Sequence, residues 1–119
     1  MNNIESARNT RTQAVISRAE DYLLAHLCDS VSRTELARLA GVSVRTLSRA
    51  FARRHGIGPM AFLKRRRLEA AHTELLLAKP GEKRITDIAL RYDFTQPSKF
   101  SSDYKATFNE TPSDTLYRL

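Results

Sequence analysis

The sequence predicts an all-α fold of seven helices on three observations. Apolar residues recur at helical spacing along most of the chain. No run alternates apolar and polar residues with β-branched enrichment, so strands find no support. One pattern occurs twice: Glu35-Leu36-Ala37, Gly41-Val42-Ser43, Leu47-Ser48-Arg49, Phe51 and Pro59 return as Asp87-Ile88-Ala89, Asp93-Phe94-Thr95, Phe100-Ser101-Ser102, Tyr104 and Pro112. The offset is 52 positions from Gly41 to Asp93 and 53 from Pro59 to Pro112, which places one extra residue near the second turn. Each copy reads as two helices joined by a tight turn.

Taken in order, residues 1–11 are polar and read as a flexible leader or the remnant of a linker. A first helix is expected over about Thr12 to Leu27, with Val15, Ile16, Ala19, Leu23 and Leu27 on one stripe. Ser32-x-x-Glu35 predicts a capping box, the hydroxyl accepting from the residue 35 amide while the carboxylate reaches back. The second helix ends near Ala40, where Gly41 supplies the left-handed conformation that a tight stop requires. Ser43 caps a third helix over Val44 to His55, and Gly56 stops it. Pro59, pre-set for a first helical turn, opens a long fourth helix to Leu77, broken by Lys79-Pro80-Gly81. Helices then recur over Ile85 to Tyr92 and Pro97 to Phe108, and Thr111-Pro112-Ser113-Asp114 starts a last one ending at Arg118. The expected division is 1–11 leader, 12–57 first helix-turn-helix subdomain, 58–79 linker helix and 80–119 second subdomain.

Twenty Lys and Arg against 13 Asp and Glu give a net charge of +7, which points to a polyanionic partner. The surplus is local: residues 1–27 hold three basic and three acidic groups, 28–79 hold eleven and four, and 80–119 hold six and six. The middle segment therefore dominates long-range attraction. No apolar run approaches the ~20 residues that cross a bilayer, so no membrane partner is expected and the reading is cytoplasmic and nucleoid-associated. His26, His55 and His72 stand at no metal-ligating spacing, and neither a metal nor a cofactor is expected. Cys28, lone beside Leu27 after an apolar helix, reads as a small packed hydrophobe ahead of a redox switch.

With Leu47 centred on the core face and 100° per residue, Ala50 and Phe51 of the third helix fall beside it. Arg45, Arg49 and Arg53 fall opposite. A guanidinium fork pairs with both acceptors on the major-groove edge of guanine, worth ~1 to 3 kcal/mol of discrimination. Arg45 and Arg49, nearest the helix start, are assigned to bases with Ser48 beside them. Arg53 and Arg54 are assigned to phosphates, together with Ser43, Arg66 and Lys99. Within Lys64-Arg65-Arg66-Arg67 at most two side chains share one surface, the rest covering the apolar stripe or pairing with Glu69. Phe51, Phe62, Phe94, Phe100, Tyr104 and Phe108 are expected in the core rather than as base-stacking platforms.

The run Gly41-Val42-Ser43-Val44-Arg45-Thr46-Leu47-Ser48-Arg49-Ala50-Phe51, the stretch from Pro59 through Lys64-Arg65-Arg66-Arg67-Leu68-Glu69-Ala70-Ala71, and Phe100-Ser101 to Thr111-Pro112-Ser113 resemble the DNA-binding domain of the AraC/XylS family of bacterial transcription regulators. The resemblance covers about residues 12 to 119. It implies sequence-specific binding of double-stranded promoter DNA, with the third and sixth helices reading neighbouring major-groove segments. By position it assigns base reading to Arg45, Ser48 and Arg49 and to Gln96, Ser98, Ser101 and Ser102. It further implies a surface placed where RNA polymerase engages it; the reading taken is an activator, whose control, if any, rests on a sensor or dimerisation domain of a longer parent chain or on control of abundance. Asp93 and Asn109 stand where the family has glycines, and both residue types tolerate a left-handed backbone. Ser102 replaces a common arginine, and Asp103 follows it, so the second reader is expected to bind more weakly. Two rivals are weaker: a nonspecific or RNA-binding basic domain, and a repair enzyme, for which no zinc cluster, acid/base pair or nucleophile constellation is found.

Overall fold

The computed structural model describes residues 3–118, with side chains from Thr10 onward, and every regular element among them is an α-helix. They are α1 (Asn3–Ala25), α2 (Arg33–Ala40), α3 (Val44–His55), α4 (Pro59–Leu77), α5 (Ile85–Arg91), α6 (Pro97–Phe108) and α7 (Pro112–Leu116). The seven expected helices are found. The chain divides into two compact units: one holds the part up to His26 with Ser30–Leu63, the other Leu27–Asp29 with the chain from Lys64 onward.

Helix α5 ends at Arg91, one residue before the expected Tyr92, and four differences from expectation are larger. Helix α1 begins at Asn3, not Thr12, so the leader expected over 1–11 is helical from Asn3; Ile4, Glu5, Ala7 and Arg8 are ordinary helix formers with no Pro or Gly among them. Met1 and Asn2 lie outside the described residues. Helix α1 stops at Ala25 because Leu27 leaves its stripe and packs against the core of the second unit. Cys28 is consequently exposed instead of packed. Helix α4 is not a separate linker over 58–79: Phe62 and Leu63 are buried in the first unit, and Leu68, Ala71 and Leu75 in the second. Helix α7 ends at Leu116, short of Arg118.

In the first unit Ile16, Ala19 and Leu23 of α1 are buried with Leu36 and Ala37 of α2 and Leu47 and Phe51 of α3. Leu23, Leu36 and Leu47 are fully enclosed, which stabilises by ~2 kcal/mol each. Ser32 accepts from the Glu35 amide at 3.1 Å, but the Glu35 carboxylate is engaged by the Tyr22 hydroxyl at 3.4 Å, so only the hydroxyl half of the expected capping box operates. Gly41 adopts φ 74°, and the Val42 amide closes the turn on the Ala37 carbonyl at 3.0 Å.

The second unit repeats this device with other residues. Asp93 adopts φ 64°, and the Phe94 amide closes on the Ala89 carbonyl at 2.9 Å. Asn109 adopts φ 60° after α6, matching the positive φ of Gly56 after α3. Helix α6 starts 53 positions after α3 while the turns are 52 apart, so the extra residue lies in the Phe94–Gln96 segment. The core joins Leu68, Ala71 and Leu75 of α4 to Ile88 and Tyr92, Phe100 and Tyr104, and Leu116. The buried Tyr104 hydroxyl donates to Thr115 Oγ1 at 2.7 Å; Thr115 in turn meets Glu110, which pairs with Arg118. Thr111 and Asp114 form a complete capping box at 3.0 and 3.1 Å. The six aromatic residues named above are buried or packed on the cores, as expected.

Candidate nucleic-acid interface

Helix α3 buries Leu47, Ala50 and Phe51 and leaves Arg45, Arg49 and Arg53 exposed, one row at i, i+4 and i+8. Ser48 is half-buried at its edge. None of these three arginines has an ion pair among the described residues. The row is held in place by the Ser43 cap, whose hydroxyl accepts from the Thr46 amide at 3.1 Å and donates to Thr46 Oγ1 at 3.0 Å. That hydroxyl is thus committed to the helix, and a phosphate would have to compete for it. Arg54 differs from its neighbour: its Nε lies 3.4 Å from Glu20 Oε1, the same oxygen that meets His55 Nε2 at 2.5 Å.

Helix α6 presents a less basic face. Gln96, Ser98, Lys99, Ser101 and Ser102 are all exposed; Ser98 and Ser102 lie opposite buried Phe100 and Tyr104, Lys99 and Ser101 flank them, and Gln96 precedes the helix. Gln96 occupies the N-cap position without a side-chain cap, and Pro97 supplies the first helical residue, where its missing amide is harmless. Asp103 is held by Lys64 Nζ at 2.7 Å, so it does not stand as a free negative charge beside Ser102.

The basic tetrad of α4 splits as helical geometry requires. Arg66 donates to Glu69 Oε2 at 3.0 Å and Arg65 approaches Oε1 at 3.8 Å, so the phosphate role assigned to Arg66 is shared with an acid. Arg67 turns inward and is 9% exposed. Its Nε donates to the Leu27 carbonyl at 2.9 Å and its Nη2 to the Asp29 carbonyl at 2.5 Å, while Nη1 lies 3.8 Å from Asp93. Burial lowers its pKa from the ordinary guanidinium value, with Asp93, Cys28 and Asp29 opposing. It fixes the α1–α2 connection and the turn ahead of α6. The signal for this lies in the sequence: Leu63, Arg67 and Ala71 share one stripe at i, i+4, i+8.

Two turn-joined helix pairs, each with an apolar back and an exposed polar second helix, define a helix-turn-helix nucleic-acid-binding domain. Residues 36–118 match a family described as a helix-turn-helix domain. The chain is 35% identical to a probable AraC family transcriptional regulator from Rhodopseudomonas palustris, at a TM-score of 0.81 over 88% of this chain and 96% of that one. It is similar at 30% identity and TM-score 0.81 to an AraC-type DNA-binding regulator from Chromobacterium violaceum, over 87% and 90%. A probable thc operon regulatory protein of Rhodococcus erythropolis is 38% identical over 86% of this chain. The XylDLEGF operon transcriptional activator 2 of Pseudomonas putida is 34% identical over 83%. The chain belongs to the AraC/XylS family of bacterial DNA-binding transcription regulators, which is not an enzyme class. It spans 31% of the Rhodococcus protein and 63% of the Pseudomonas one. No helix among the described residues is long and apolar enough to cross a membrane.

Proposed function

We propose that the chain recognises a specific promoter sequence in duplex DNA, with Arg45, Ser48 and Arg49 reading one block and Gln96, Ser98, Ser101 and Ser102 a second. The observation that carries this reading is the unpaired row Arg45, Arg49 and Arg53 on a capped, rigidly backed α3. Guanidinium forks left without acidic partners on an exposed helix face are pre-organised for guanine edges and phosphates. Arg53 and Lys99 supply backbone contacts, joined by Arg54, Arg66 and Ser43 where a phosphate displaces Glu20, Glu69 and Thr46 from them. The chain works in the cytoplasm, on the nucleoid, as the DNA-binding part of an activator that brings RNA polymerase to a promoter, with effector sensing on a further domain; relatives named as operon activators support the activating role alone.

Selection of bound duplexes from a random pool tests the reading. The expected product is an asymmetric motif of two blocks, with guanines in the block lost on Arg49→Ala. Equal retention of scrambled duplex, or preference for hairpin RNA, would overturn it.

A further inference from the structure

The face of α1 that looks onto α3 is not fully closed. A cleft of about 530 Å³ lies between Thr12, Gln13 and Ser17 of α1 and Arg53 and Arg54 of α3, floored by Ile16 and Ala50. A second of about 240 Å³ shares Thr12 and Ala50 and continues past Arg11 and Val15 to Val42 and Thr46. Together they make one furrow beside α3 from Thr46 to Arg53, ~10 Å at 1.5 Å per residue. It flanks the row Arg45, Arg49 and Arg53, with Arg53 belonging to both.

The geometry points to this furrow as the seat of one sugar–phosphate strand of the bound duplex, with Arg11, Thr12, Gln13 and Ser17 of α1 as backbone contacts. This rests on α3 being the base reader. A helix of ~10 to 12 Å diameter fills a major groove ~12 Å wide, so the strands bounding the groove must run alongside it, against whatever flanks the helix. On this side that is α1. The furrow offers the two chemistries such a strand needs. Arg11, Arg53, Thr12, Gln13 and Ser17 provide cations and donors for phosphate, while Val15, Val42 and Ala50 form a mainly apolar stretch for deoxyribose. The carboxylate beyond its end, Glu20, is engaged by His55 and Arg54 and so repels an incoming strand little. Helix α1 lies outside the matched helix-turn-helix segment, 36–118, so this contact extends the interface beyond it.

Two matched pairs of variants test the proposal, each pair changing charge equally on α1. Arg11→Gln and Gln13→Glu alter the furrow; Arg18→Gln and Ala14→Glu alter α1 positions that do not line it. Binding to the selected duplex and to a scrambled one is titrated over salt, after thermal unfolding confirms that each variant folds like the wild type. Arg11→Gln is expected to lower the salt slope by about 0.9 and the affinity about eightfold at 0.1 M salt on both duplexes, with Arg18→Gln within twofold of wild type. Gln13→Glu is expected to weaken binding and Ala14→Glu to leave it nearly unchanged. A second measurement uses duplexes with single methylphosphonates flanking the α3 block. Removing a phosphate charge there should weaken the wild type and add nothing to the loss in Arg11→Gln. Equal effects within each pair, or additive methylphosphonate losses, would overturn the furrow. A wild type without sequence preference would instead overturn the reading on which it rests.

Discussion

Replacing Arg67 with Met tests the buried guanidinium most directly, because Met keeps the unbranched stem and removes only the charged fork. Two charge-assisted hydrogen bonds are lost, to the Leu27 and Asp29 carbonyls at 2.9 and 2.5 Å. At ~1.5 to 3 kcal/mol each, their sum bounds the effect near ~6 kcal/mol. Asp29 is exposed, so water replaces much of one bond, whereas the Leu27 carbonyl sits at a half-buried residue packed on the core. The contact with Asp93, 3.8 Å long to a carboxylate on a 37% exposed side chain, adds less than ~1 kcal/mol. Relief of guanidinium desolvation works the other way. The expected loss is about 2 to 4 kcal/mol, or about 8 to 16 °C at ~4 °C per kcal/mol. Arg67→Lys should recover less than half, since a point charge cannot serve two carbonyls and a carboxylate in different directions. Circular dichroism during thermal and urea unfolding at neutral pH measures both. A loss below about 1 kcal/mol for Arg67→Met, or full recovery in Arg67→Lys, would refute the assignment of Arg67 as the residue fixing the Leu27–Asp29 segment.

Four further outcomes are expected. Log affinity for duplex DNA should fall with log salt at a slope of roughly −5 to −7, for about six to eight phosphates neutralised; a slope shallower than about −2, read by fluorescence anisotropy, would remove the basic middle segment from the contact surface. Arg45→Ala or Arg49→Ala should each cost ~1 to 3 kcal/mol on the selected site and less on random DNA, whereas Arg53→Ala should weaken every sequence alike. Randomising the block under α6 should cost less affinity than randomising the block under α3, and Ser102→Arg should strengthen binding, because Lys64 already holds Asp103 at 2.7 Å; equal losses from the two half-randomised duplexes would contradict the asymmetry. Burial and the Glu74 acceptor at 3.0 Å push the Tyr92 hydroxyl up to about 12 from its ordinary 10.0. The fold therefore binds this proton more tightly than the unfolded chain, so the contribution is complete below pH ~10 and is lost as pH rises from there through about 12; Tyr92→Phe should flatten that part of the stability profile.

Most of the architecture was legible because it rests on local chemistry. Gly41, Ser43, Gly56, Pro59 and the Thr111–Asp114 box act on their own backbone neighbours, so their positions set the limits of α2, α3, α4 and α7 to within a residue or two. The third-helix face was legible too, since Arg45, Arg49 and Arg53 are opposed to Leu47 and Phe51 by helical geometry alone. The reach of long side chains was not legible. Nothing in the local pattern shows that Glu20 meets His55 and Arg54 across 35 residues, that Lys64 holds Asp103, or that Leu27 abandons its own helix for another core. The early start of α1 was missed for a different reason: a polar segment without an apolar stripe carries no periodic signal, yet its residues raise no obstacle to extending a helix nucleated downstream.

The two turns show how one backbone requirement can be met at different electrostatic cost. Gly41 takes φ 74° with nothing near the position a Cβ would occupy, so it relieves strain and contributes no charge. Asp93 takes φ 64° at the equivalent step, accepting the strain of a left-handed side-chain-bearing residue. In return its carboxylate faces the guanidinium that also gathers the Leu27 and Asp29 carbonyls. A glycine at 93 would ease the backbone and leave Arg67 buried against carbonyl dipoles alone. The acid that answers Arg67 also offsets positive charge beside α6, as Asp103 does for Lys64. The neutrality of residues 80–119 is therefore partly structural: acids that anchor α4 cations to the second unit remove the surplus that would otherwise draw DNA to it. On the proposed reading, the exposed arginines of α3 then carry most of the affinity, and α6 discriminates with amide and hydroxyl groups.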